Sequence, residues 1–120
     1  MDTYDLQSEL LKALAHPVRL QILDALCDGE QCVCHLEAAL GLRQAYISQQ
    51  LTVLRKVELV AERKEGLRVY YRVLDPQNLY AVMDFARRLA KTERIKSAKP
   101  ARARPRQCNC PKCSPIPTGA

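Results

Sequence analysis

The stretch Cys32-Val-Cys-His-Leu-Glu-Ala-Ala-Leu-Gly-Leu-Arg-Gln-Ala-Tyr-Ile-Ser-Gln-Gln-Leu-Thr-Val-Leu-Arg-Lys56 decides the fold. Apolar residues recur at helical spacing on both sides of Gly41-Leu42, which predicts a short helix from Cys32 to Leu40. A longer helix follows from Gln44 to Lys56, with Ile47, Leu51 and Leu54 on its inner face. Two such helices joined by a tight glycine turn form a helix-turn-helix unit.

Upstream, Leu6, Leu10, Leu11 and Leu14 are spaced as one helix within residues 4–15, and Val18, Leu20, Ile22, Leu23 and Leu26 as a second. Pro17 suits the first turn of that second helix, where a missing N–H costs nothing, and Gly29 ends it. Downstream, Leu59–Lys64 and Leu67–Val73 flank Glu65-Gly66 and read as a β-hairpin. Its second strand alternates Leu67, Val69, Tyr71 and Val73 with Arg68, Tyr70 and Arg72, which predicts one buried face. Residues 76–95 then carry Leu79, Val82, Met83, Ala86, Leu89 and Ala90 as an apolar stripe on a last helix that begins near Pro76. The fold class is therefore mainly α with one β-hairpin.

With 120 residues, the chain has room for one small domain. We place it at 1–95, followed by a tail at 96–120 that holds five of the seven prolines and too few apolar residues for a core. Up to Arg94 there are thirteen basic and thirteen acidic residues; beyond it there are six basic residues and no acidic one. The whole net charge of +6 thus belongs to the tail, which reads as an arm that attracts polyanions. There is no run of about 18 apolar residues, and Met1, Asp2 and Asp5 give no basic leader. We therefore expect no membrane partner and a cytoplasmic protein. In that reducing setting the groups Cys32/Cys34 and Cys108/Cys110/Cys113 point to metal or redox chemistry rather than a disulfide framework. Cys27, which ends an apolar helix, reads as a small buried residue.

The order helix, helix, helix-turn-helix, hairpin, helix is that of a winged helix. Four strings resemble the ArsR/SmtB family of bacterial metal-responsive repressors: Ala13-Leu-Ala-His-Pro-Val-Arg-Leu-Gln-Ile-Leu23, Cys32-Val-Cys-His-Leu36, Ile47-Ser-Gln-Gln-Leu-Thr-Val-Leu-Arg55 and Gly66-Leu-Arg-Val-Tyr-Tyr-Arg72. The resemblance covers residues 5–95. It implies a homodimer formed through the first and last helices that binds double-stranded operator DNA and lets go when an effector binds. The apolar stripes agree, because Leu6, Leu10, Leu14, Leu79, Met83 and Leu89 offer more apolar surface than one small monomer needs.

With Ile47, Leu51 and Leu54 inward, the second helix of the helix-turn-helix presents Gln44, Tyr46, Ser48, Gln49 and Gln50 toward solvent or a major groove. Gln pairs with adenine through two hydrogen bonds, and Ser reaches a base or a phosphate. Arg43, Arg55 and Lys56 at the helix ends and Arg63, Lys64 and Arg68 around the wing are phosphate candidates. The tail from Lys96 to Arg106 is a further one, and would steepen the salt dependence of binding.

Cys32 and Cys34 resemble the first two cysteines of the family's Cys-Val-Cys-Asp-Leu-Cys arsenic motif; its third falls here on Glu37. Residues two apart on a helix point about 200° apart, so both thiolates meet one ion only if Cys32 precedes the first turn or that turn unwinds. Cys108, Cys110 and Cys113 are the candidates for the missing ligands, since the linker from Lys96 to Gln107 spans more than about 30 Å when extended. Such a soft site suits trivalent arsenic, Cd, Pb or Zn as effector. The family's second site on paired last helices is not expected, because Gln77, Arg88 and Lys91 stand where ligands belong.

No metal-water constellation, phosphate-cradling glycine loop or nucleophile–base pair suggests an enzyme, and no organic cofactor is expected. Three readings remain: a repressor released by a thiophilic metal or metalloid, a thiol-based redox or reactive-sulfur sensor using the same cysteines, and a DNA-binding module whose tail holds a permanent zinc.

Overall fold

The computed structural model describes residues 2–90. Five helices and a small sheet follow the order α1 (Thr3–Leu14), α2 (Pro17–Ala25), β1 (Gln31–Cys32), α3 (Val33–Leu40), α4 (Gln44–Lys56), β2 (Val60–Glu65), β3 (Arg68–Val73) and α5 (Pro76–Leu89). This is a winged helix-turn-helix, as the sequence predicts. The tail cysteines and the basic run from Lys96 to Arg106 lie outside the described residues.

Local chemistry sets most of the boundaries. The Asp2 carboxylate accepts from the Asp5 N–H and starts α1, and the Asp75 carboxylate accepts from the Asn78 N–H and starts α5. Pro17 and Pro76 take first-turn positions. Gly41 closes α3 in the left-handed region (φ +67°), a conformation that strains any residue with a Cβ, and its N–H reaches back to the Glu37 carbonyl. Gly66 turns the hairpin at φ +62° for the same reason.

Ile22, Leu23, Leu36, Ile47, Leu51 and Leu54 are completely buried where α2, α3 and α4 meet, and Val60, Val73 and Leu79 seal the core from the wing and α5. The Tyr80 hydroxyl donates to the Leu23 carbonyl, which ties α5 back to α2.

Five expectations need correction. The sheet has three antiparallel strands, ordered β1-β3-β2, because the two residues Gln31–Cys32 pair with the outer edge of β3. Sheet cover on both sides then removes the single buried face: Tyr71 and Val73 join the main core, while Tyr70 packs with Cys32 and Cys34 in a second cluster. Leu67, expected inside, is fully exposed at the tip of the hairpin. Helix α3 begins at Val33, with Cys32 as its cap in an extended conformation, and Cys27 is half-buried, its thiol 3.7 Å from the Asp28 carboxylate.

Candidate functional site

Helix α4 has its apolar side, Ile47, Leu51 and Leu54, sunk completely in the core. On the opposite side Arg43, Gln44, Gln49, Arg55 and Lys56 are exposed, while Tyr46 and Ser48 are half-buried. The Ser48 carbonyl accepts from the Thr52 hydroxyl one turn later. Gln50 corrects the sequence reading. It is 8% exposed, and its side-chain oxygen accepts from Arg19 Nε at 2.8 Å. Arg19 also donates to the Ala13 carbonyl. Gln50 thus joins α4 to α2 and the end of α1, and it does not face outward beside Gln49. The spacing alone misplaces it because position 50 lies on the flank of the helix, where a neighbouring helix decides between water and core.

The basic candidates divide into two groups. Arg55 meets Glu62 at 2.7 Å. Arg63 is held by both oxygens of Glu30, at 2.8 and 3.0 Å, and by Glu65 at 2.8 Å, while its guanidinium lies 4.7 Å from the centre of the Tyr70 ring. The Glu30 bond, and then that to Glu65, raise the Arg63 pKa above its ordinary value. Two carboxylates already offset the charge of Arg63, so its first role is to brace the wing. Lys64, next to it, is exposed near the tip, as are Arg43 and Lys56 at the ends of α4.

The two described cysteines of the candidate thiol site come together at the junction of β1 and α3. Cys32 Sγ accepts from the His35 N–H at 3.3 Å, so a sulfur takes the place that a Ser or Asp oxygen fills in other caps. The pair forms a disulfide, Cys32 to Cys34, across Cα atoms 5.4 Å apart. Cys32 is 1% exposed and Cys34 is half-buried, with Arg68 Nη1 3.7 Å from its sulfur. Burial lowers the His35 pKa, and its Nδ1 has no hydrogen-bond partner among the described residues. Because Cys32 precedes the first helical turn, both sulfurs lie on one side, which is the condition the sequence set for joint action. Among the described residues no three His, Cys, Asp or Glu side chains are grouped as a metal site.

Two rows across the sheet connect this junction to the remaining elements. Cys32 lies opposite Tyr70, and Tyr70 opposite Arg63, whose fork grips Glu30 just before β1. Gln31 lies opposite Tyr71, and Tyr71 opposite Glu62; the Tyr71 hydroxyl donates to Glu62 at 3.0 Å, and Glu62 holds Arg55 at the end of α4. Burial, and then the bond to Glu62, raise the Tyr71 pKa. Sequence reasoning missed Glu30, Glu62, Tyr70, Tyr71 and Arg19. A strand of two residues leaves no periodicity to find, and without β1 neither row exists.

On α5, Val82, Phe85 and Leu89 are exposed at helical spacing, and on α1 Tyr4 and Leu11, two turns apart, and Leu6 are exposed as well. Leu14 and Leu79, expected on the dimer surface, are instead buried in the core of the single chain, and Leu79 is the one residue of α5 so buried. No helix among the described residues is long and apolar enough to cross a membrane.

Residues 16–62 match the family model for "Bacterial regulatory protein, arsR family". The biofilm growth-associated repressor of Agrobacterium fabrum is 47% identical over 66 residues, 55% of this chain and 56% of that protein. The crystal structure of Mycobacterium tuberculosis Rv0081 superposes with a TM-score of 0.67 at 34% identity, over 79% of this chain and 98% of that one. A homodimeric winged helix-turn-helix DNA-binding domain of Mycobacterium bovis, described as a possible ArsR-family regulator, superposes with a TM-score of 0.65 at 34% identity over 80% of this chain and 88% of its own. The chain thus spans a little over half the length of the Agrobacterium relative it matches.

Proposed function

From the membership of this chain in the arsR family of bacterial regulatory proteins, we propose that it is a homodimeric transcriptional repressor that leaves its operator when Cys32 and Cys34 are engaged by an effector. One observation carries the proposal. Cys32, bonded to Cys34 in the first turn of α3, caps that helix and ends the strand β1, from which the row through Cys32 leads to the wing and the row through its neighbour Gln31 leads to the end of α4. A ligand or bond that shifts the cap therefore displaces both elements that would touch DNA.

In this reading Gln49, Gln44 and Ser48 read base edges, while Arg43, Lys56, Lys64 and Arg68 meet phosphates. Arg55 and Arg63 set the positions of α4 and the wing through Glu62 and Glu30. Val82, Phe85 and Leu89 of α5, with Tyr4, Leu6 and Leu11 of α1, are the surface for the second copy; the M. bovis domain is itself homodimeric. The effector is a thiophilic metal or metalloid ion: trivalent arsenic, Cd, Pb or Zn. The donor set fits in part, since Cys32 and Cys34 supply two adjacent soft sulfurs, and Cys108, Cys110 and Cys113 of the tail would complete three or four.

A second reading has a specific observation in its favour. The two sulfurs are already bonded to each other, so oxidation alone engages both without any tail residue. The test is a titration of the reduced protein, bound to DNA from its own promoter, with arsenite, Cd(II), Pb(II), Zn(II) and, separately, an oxidant. Release by an ion and its reversal by a chelator support the first reading. Release by oxidant and reversal by a reductant support the second, and indifference to all of them overturns both.

A further inference from the structure

We propose that the Cys32–Cys34 pair is an asymmetric dithiol in which Cys34 is the nucleophile toward hydroperoxides, Cys32 is the resolving thiol, and Arg68 is the positioning residue that holds Cys34 as thiolate. The proposal deepens the reading of these two cysteines as the effector site.

Three features assign the roles. A cation beside a sulfur favours thiolate over thiol, and the Arg68 guanidinium is 3.7 Å from Cys34 Sγ. The N–H at the start of α3 does the same for Cys32, so charge alone does not separate the two sulfurs. Access does. Cys32 is 1% exposed and packed with Tyr70, whereas Cys34 is half-buried and keeps part of its surface exposed. The attacking sulfur is therefore Cys34. Because the backbone already brings Cys32 within bonding reach, the second step needs no movement of another element.

The chemistry balances. The Cys34 thiolate attacks the terminal oxygen of a hydroperoxide; the O–O bond breaks, Cys34 becomes a sulfenic acid and the alkoxide or hydroxide leaves and takes up a proton. The Cys32 sulfur then attacks the Cys34 sulfur. An S–S bond forms, the S–O bond breaks, and the hydroxide leaves with the Cys32 proton as water. Two thiols are oxidised by two electrons in all, and one peroxide is reduced.

The test uses the full chain, reduced, treated with hydrogen peroxide and mapped by peptide mass spectrometry with a sulfenic-acid trap. Wild type is expected to form the Cys32–Cys34 bond. Cys32→Ser is expected to accumulate trapped sulfenic acid on Cys34, and Cys34→Ser to leave Cys32 unmodified over the same time. Arg68→Met is expected to slow the oxidation of Cys34 roughly tenfold, and Arg68→Lys to restore most of the rate. Trapping on Cys32 in Cys34→Ser at the rate seen for Cys34, or no bond between the two in wild type, overturns the proposal. Equal rates for Arg68→Met and Arg68→Lys overturn the role of Arg68. The readouts are independent of DNA: if the bond forms as described and the oxidised protein still holds its operator, the oxidative reading of the effector fails and this assignment stands.

Discussion

Replacing Gln50 with Ala separates the two roles this residue has been given. The side chain is 8% exposed and accepts from Arg19 at 2.8 Å. A hydrogen bond from a charged donor contributes about 1.5–3 kcal/mol. Arg19 is only half-buried and keeps the Ala13 carbonyl, so part of its loss is made good and the low end of that range applies. The methylene removed from the packed flank of α4 adds about 0.8 kcal/mol. The expected total is about 2 kcal/mol, read as a lower urea midpoint at unchanged slope. At fixed protein concentration it corresponds to a fall in Tm on the order of 10 °C. Arg19→Met costs a similar amount, and the double variant much less than the sum, because the two share one bond. Selection from a random DNA library should return the wild-type site for Gln50→Ala. Full stability together with a relaxed base preference at one position would refute the placement of Gln50 between helices and restore it to the DNA-facing side.

Gln49→Ala should do the reverse, weakening the preferred site by about 1–3 kcal/mol with little change on random DNA; gel-shift titration on both DNAs decides it. Lys64→Ala should weaken both DNAs alike and reduce the slope of log affinity against log salt by about 1. Phe85→Glu combined with Leu89→Glu, which places charge on the exposed stripe of α5, should give monomers by sedimentation velocity; a persistent dimer would move the interface elsewhere. The raised Tyr71 pKa makes stability fall at alkaline pH, because the unfolded chain loses the phenolic proton near pH 10 while the folded one keeps it. Tyr71→Phe should therefore be less stable than wild type at about pH 8, and the gap should narrow toward about pH 11 in denaturation series.

The architecture was legible from the apolar period of the helices, reinforced at several boundaries by turn residues that stand out in the sequence: Pro17, Gly41 and Pro76. The recognition helix was found to the residue, from Gln44 to Lys56. What the sequence could not carry was pairing across the chain. Arg55 and Arg63 look like every exposed arginine until the fold brings Glu62 and Glu30 beside them, and Glu30 is 33 residues away from the side chain it holds. Tyr70 and Tyr71 looked like opposite faces of a half-buried ribbon, but β1 and the cysteine cluster cover the second face as well. The thiol pair was legible as chemistry from two residues alone. Its geometry was not, because the extended backbone at Cys32 that turns both sulfurs to one side comes from pairing with Tyr70.

The central claim is that engagement of Cys32 and Cys34 releases DNA. Its most direct test is fluorescence anisotropy of labelled promoter DNA with wild type and Cys32→Ser under the effector that releases wild type. Ser is nearly the same size as Cys, and its oxygen serves as a cap for α3, yet it neither binds soft ions well nor forms a disulfide. The account predicts that Cys32→Ser binds the promoter as wild type does and stays bound at effector concentrations that empty wild type. Release of Cys32→Ser at the same effector concentration would contradict it and place the sensing site elsewhere in the chain.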